Sequence, residues 1–157
     1  MGSSKWIFPV AMLSLALAAC GGGGGGNSNS KDVVDETACQ GAPPADATIY
    51  STWYQRQMVD GVENDTTITI SPNQINQTVK CVWSSGAAAS ATTSAPLTVN
   101  SNSFTILQAA SNVGEFWQDD THVFKCESGL PAMTASYELV GSCLKVRAMG
   151  KTILLQH

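Results

Sequence analysis

The chain has 157 residues, a net charge of −4 and only 13% charged residues. Twelve acidic side chains stand against eight basic ones, and no Lys/Arg cluster occurs, which excludes a nucleic-acid backbone as partner because phosphate binding needs clustered cations. Thr, Ser, Asn, Val and Ile are frequent while Lys, Glu and Leu are sparse, a composition that favours strands joined by turns in one small domain.

Residues 1–19 divide as a secretory signal does. Lys5 gives the start its positive charge, and Trp6 to Leu17 is apolar apart from Ser14. That run has the length of a signal's apolar region, shorter than the roughly 20 residues of a membrane span, and Pro9 weakens a spanning helix further. Leu17-Ala18-Ala19 would also serve an ordinary cleaved signal. With Cys20 behind it, Leu-Ala-Ala-Cys resembles the lipobox of bacterial lipoproteins. The resemblance implies that Cys20 carries a thioether-linked diacylglycerol and becomes the new N-terminus, commonly with an added amide-linked chain such as palmitate. Two or three acyl chains hold a protein on a membrane where one binds only marginally. By analogy with Gram-negative lipoproteins, Gly21 rather than Asp after the cysteine points to the outer membrane, facing periplasm or exterior. A myristoylation start is excluded because Trp6 stands where Ser or Thr is needed.

Residues 20–38 form the lipidated cysteine and a leash. Gly21 to Gly26 and Asn27-Ser28-Asn29-Ser30 have nothing to bury, so a solvated coil with a root-mean-square reach of roughly 20–25 Å is expected. The glycine run has no Lys-Ser/Thr after it and no strand before it, unlike a phosphate-binding loop. Residues 39–157 are the folded domain. It holds Cys39, Cys81, Cys126 and Cys143, an even number that reads as two disulfides in an exported protein. Three connectivities are open. Cys39 joined to a later strand is favoured, since the segment around Pro43-Pro44 has little apolar content to fasten it.

Short strands are predicted over Thr48 to Val59, Thr66 to Ser71, Thr78 to Trp83, Ala91 to Val99, Ser103 to Ala110, His122 to Glu127, Ala135 to Leu139, Cys143 to Ala148 and Thr152 to Gln156. Turn signals at Asp60-Gly61, Pro72-Asn73, Gly141-Ser142 and Met149-Gly150 separate them. Ile68 and Ile70 share one face, as do Val79, Cys81 and Trp83. About eight or nine short strands without a helical period describe an all-β domain, an antiparallel meander barrel or a sandwich.

Trp53 in the first strand, the Ile68-Thr69-Ile70-Ser71-Pro72 corner and the closing Tyr137 to Val146 stretch resemble small bacterial lipocalin-like lipoproteins. In lipocalins a Gly-x-Trp in the first strand packs under an Arg from the last part of the barrel. Here Ser51 replaces that glycine, and Arg147 is the matching cation. The resemblance implies an up-and-down barrel whose interior holds a small apolar ligand, with Trp53 set against Arg147.

Catalytic patterns are missing. No G-x-S-x-G elbow occurs, and His122 and Cys126 on one strand lie roughly 13 Å apart, too far for a thiolate pair. No C-x-x-C pair or nearby histidine suggests zinc, and the acidic runs 60–65 and 115–120 lack an EF-hand pattern, so they read as solvated hairpin ends. An enzyme is therefore not expected, nor any metal or cofactor beyond the lipid on Cys20. Trp83, Phe104, Phe116, Trp117 and Phe124 are large for so short a domain, and Phe116-Trp117 falls in a long acidic loop where exposure would mark a partner or ligand mouth. Two functions compete: retention of a small apolar ligand near the membrane, and a protein-interaction module such as a hydrolase inhibitor or envelope assembly partner. An enclosed apolar volume favours the first; a filled barrel with exposed Phe116 and Trp117 favours the second.

Overall fold

A computed structural model describes residues 36–46 and 48–157. The expected signal, Cys20 and most of the expected leash lie outside the described residues. After one 3-10 turn, Thr37–Cys39, the chain forms ten strands: β1 Thr52–Val59, β2 Val62–Ser71, β3 Gln74–Val82, β4 Ala88–Val99, β5 Ser103–Ile106, β6 Ala110–Trp117, β7 Val123–Leu130, β8 Met133–Val140, β9 Cys143–Ala148 and β10 Lys151–Gln156. Eight close into an antiparallel barrel in the order β1-β10-β9-β8-β5-β4-β3-β2, and β6 and β7 form a separate hairpin inserted between β5 and β8.

The turn signals decide the register. Asp60 and Gly61 have φ of 51° and 79°, and Met149 and Gly150 have 52° and 76°. Two consecutive residues at positive φ make a two-residue type I′ turn, whose twist matches the strands it joins. The first turn pairs Val59 with Val62 and carries β1 against β2 over eight residues; the second pairs Ala148 with Lys151. The expected acidic loop 60–65 is thus a two-residue turn followed by strand, because the I′ turn and the pairing of Glu63 to Asp65 with Lys80 to Val82 draw those polar residues into β2.

Alternation builds the core. On β4, Ala89, Ala91, Thr93, Ala95 and Leu97 are buried and their neighbours exposed. Trp53, Leu97, Ile106, Leu144 and Leu155 fill the barrel, with Ile70, Ile75, Phe104 and Val146 around them. Each such aliphatic side chain contributes about 1.5–3 kcal/mol by leaving water. Trp53 is fully buried, and its indole Nε1 donates to the Ile49 carbonyl at 3.0 Å, so its one polar atom is satisfied. Ile49 is itself buried, although the strand begins three residues later, at Thr52.

The disulfides are Cys39–Cys143 and Cys81–Cys126. The first fastens the segment before β1 to the start of β9, as favoured from sequence. It needs Gly141, which has φ of 55° and where a Cβ would stand 1.7 Å from the Cys39 carbonyl oxygen. The Ser142 N–H donates to that same oxygen at 3.2 Å.

Candidate functional site

The hairpin departs from the sequence reading. Ala110–Trp117 carries Ser111, Asn112, Gly114 and Glu115 and shows no apolar alternation, so it reads as loop, yet it pairs with β7 from Ala110↔Leu130 to Trp117↔Val123. It is a strand because of its neighbours. Asn112 Nδ2 donates to the Thr92 carbonyl on β4 at 3.0 Å, and Gly114 lies so close to Ser90 that a Cβ would meet its carbonyl oxygen at 1.8 Å. On β7, Ser128 receives the Thr93 hydroxyl at its carbonyl (3.0 Å) and donates its own hydroxyl to the Gln77 carbonyl (3.3 Å). Cys126, fully buried, closes the disulfide to β3. The hairpin therefore lies against the core-facing side of β3 and β4.

Gly114→Ala is expected to push the hairpin off β4, since the obstacle is backbone and cannot swing aside. A loss of about 1–3 kcal/mol in a denaturant titration, with faster proteolysis in β6–β7 than elsewhere, would show it.

The hairpin end presents the aromatic residues singled out above. Phe124 packs on Trp83 at 5.0 Å between ring centroids, and Phe116 on Phe124 at 6.2 Å. Trp83 is half-buried, whereas Phe116 is 40% and Trp117 58% exposed. Trp117 lies on the other side of β6 from Phe116; its Nε1 donates to Glu115 Oε2 at 3.2 Å, and Lys125 pairs with Glu115 at 3.2 Å. Val113, also exposed, shares the Trp117 face by alternation. Phe116 and Trp117 thus sit on a strand end and not in a long loop, and they bracket the hairpin tip.

That tip is ordered by one carboxylate. Asp119 accepts from the Thr121 hydroxyl at 2.7 Å, from the Thr121 and His122 backbone N–H groups at 2.8 Å each, and faces His122 Nδ1 at 2.8 Å. The Thr121 hydroxyl first, then the Thr121 backbone and the His122 ring, hold the carboxyl well below its ordinary value of 3.8. A depressed folded value means the contribution is present above the ordinary value and lost only as pH falls through the lower, folded one. An NMR titration should place the Asp119 midpoint clearly under 3.8, and Thr121→Val should return it toward that value. An unshifted midpoint would refute the ordered tip.

The remaining residues are not brought together. Trp53 stacks edge-on with His157 at 5.4 Å, while Arg147 lies on the outer side of β9 with its guanidinium 3.7 Å from Glu138. The pairing implied by the lipocalin resemblance is absent because Leu144, Val146 and Ala148 take the inward positions of β9 and leave Arg147 outward. Sequence reasoning also missed a polar layer inside the barrel. Beyond Trp53 on the core-facing side of β1 come Gln55 and Gln57, opposite Thr66 and Asn64 of β2. An open cleft of about 900 Å³ reaches this layer between β1 and β10, lined by Gln55, Gln57, Thr66, Ile153 and Leu154 among others. Among the described residues no three His, Cys, Asp or Glu side chains converge to hold a metal. No protein-family model, curated protein or solved structure matches the chain.

Proposed function

We propose that this protein is a non-catalytic envelope lipoprotein, anchored through acylated Cys20 to the outer membrane, that binds a partner protein with the tip of its β6–β7 hairpin. The observation that carries this reading is the contrast between a barrel whose apolar half is filled by its own side chains and an aromatic tip left in water. Trp117 and Phe116 are 58% and 40% exposed on a hairpin pinned by Cys81–Cys126 and ordered at its turn by Asp119. Aromatic side chains on rigid supports are the usual anchors of protein interfaces, since little freedom remains to be lost on binding. The small apolar ligand of the lipocalin reading has less support, because the apolar half of the interior is occupied by Trp53, Leu97, Ile106, Leu144 and Leu155.

A photo-reactive residue at Val123, opposite Trp117 in the hairpin, should yield one dominant cross-linked partner in intact cells. Trp117→Ala should weaken that complex by about 30-fold or more, the loss of a roughly 2 kcal/mol anchor. Thermal stability should change by no more than about 1 kcal/mol, as for an exposed side chain. Undiminished cross-linking by Trp117→Ala would refute the site. Failure of Cys20→Ser to abolish metabolic palmitate labelling would separately refute the anchor.

A further inference from the structure

β1 is paired with β2 along its whole length and β10 with β9 along all of its own, yet β1 and β10 meet only at Tyr54↔Gln156. Beyond that pair the wall parts, and the cleft of about 900 Å³ lies in the seam. The type I′ turns say which backbone groups face it. Val59–Val62 and Ala148–Lys151 close two-residue turns and are hydrogen-bonded pairs. Pairs alternate along an antiparallel ladder, so Gln57 and Gln55 bond to β2, and Ile153 and Leu155 to β9. Arg56 and Met58 of β1, and Thr152 and Leu154 of β10, therefore aim N–H and C=O groups into the seam from both sides.

We propose that this seam is an acceptor site for an extended, lysine-bearing peptide segment of another protein, added as a strand between β1 and β10. Two facing edges offer ladder bonds on both sides of one guest strand, where an ordinary sheet edge offers one. Side chains set the guest's pattern. Gln55, Gln57 and Thr66 line the inner side and suit small polar residues. On the outer side of the β1–β2 flank Arg56 lies 2.6 Å from Asp65 and 3.5 Å from Glu63, so one cation faces two carboxylates. Across the seam Lys145 is matched by Glu36 and Arg147 by Glu138; the excess of one carboxylate, on the β1–β2 flank, complements lysine. The seam lies across the barrel from β4 and the hairpin, and the proposal does not rest on the hairpin's role.

Amide exchange followed by NMR on the full-length protein tests it, with Ac-Lys-Thr-Val-Thr-Lys-Thr-NH2 as probe. In the free protein the Arg56, Met58, Thr152 and Leu154 amides should exchange about 100-fold faster than those of Gln57 and Ile153, and the probe should slow the first group by about tenfold or more without changing the second. Replacing both probe lysines by glutamate should weaken binding about tenfold. Met58→Pro deletes one seam-facing N–H, spares the β1–β2 ladder and should weaken probe binding about tenfold. Should that variant fail to fold, exchange in the unmodified protein decides alone. Protection of the four amides without probe would mean the chain closes its own seam, and protection that grows with protein concentration would mean a second copy fills it. Either result overturns the proposal, as does no protection at millimolar probe or equal binding by Met58→Pro.

Discussion

Trp53→Ala should lower the melting temperature by about 12–20 °C, corresponding to a loss of about 3–5 kcal/mol in a domain of this size. Trp53 is fully buried in the cluster that holds Ile49, Ile70, Leu144 and Leu155, and close-packed neighbours fill such a space only in part. The Ile49 carbonyl that accepts the indole N–H at 3.0 Å would keep only the Ser51 N–H, at 2.9 Å. Trp53→Phe should recover most of the packing but not that hydrogen bond, and so fall between the two. Thermal unfolding followed by circular dichroism separates the three proteins. An alanine variant within about 1 kcal/mol of the parent would show that the apolar half of the barrel is not close-packed around Trp53.

Removing the Cys39–Cys143 bridge with Cys39→Ala/Cys143→Ala should cost about 4–5 kcal/mol, and removing Cys81–Cys126 by paired alanines about 4 kcal/mol. The bridges span sequence separations of 104 and 45, and the cost of freeing the unfolded chain rises slowly with loop length. The two losses should nevertheless look different. Without the first bridge, the segment around Thr37–Cys39 keeps the Ser142 N–H to Cys39 carbonyl bond and the Lys145–Glu36 ion pair, so it should fray together with the start of β9. Without the second, the hairpin is held by the Thr93, Ser128 and Asn112 hydrogen bonds, the Phe124–Trp83 contact and Leu130 at its base, and β6–β7 should open from the tip before the barrel does. Hydrogen exchange on each variant reads the location directly. Uniform loss of protection in both would refute the division into wall and hairpin.

Much of the wall was legible in the chain. Asp-Gly, Pro-Asn, Gly-Ser and Met-Gly each proved to be a turn, because backbone preference there is set within two residues and does not wait for tertiary contacts. Nine strands were expected and ten occur among the described residues. The missing one, Ala110–Trp117, is polar and glycine-interrupted, and it is extended only because β7 and β4 supply partners that no local pattern announces. The first half of β2, Val62 to Asp65, was hidden in the same way. Disulfide pairing was open until the topology brought Cys39 to Cys143 and Cys81 to Cys126.

The candidate site was half legible. Phe116 and Trp117 stood out by size and company, but their support on a disulfide-pinned hairpin did not. The seam had no signature at all, since Gln55, Arg56 and Gln57 are polar on both faces of β1 and reveal neither an inside nor an unpaired edge.

The Cys39–Cys143 bond also sets how the domain takes a pull. A tug on the chain ahead of Glu36 arrives at a covalent link to β9 before it reaches any strand of the wall. A partner hauling on the hairpin meets a second such link at Cys81. The shortest covalent path between the two grips, from Cys143 back to Cys126, includes all of β8. Tension would therefore load the ladders that β8 shares with β5 and β9, while β1, β2 and β3 stay off the path.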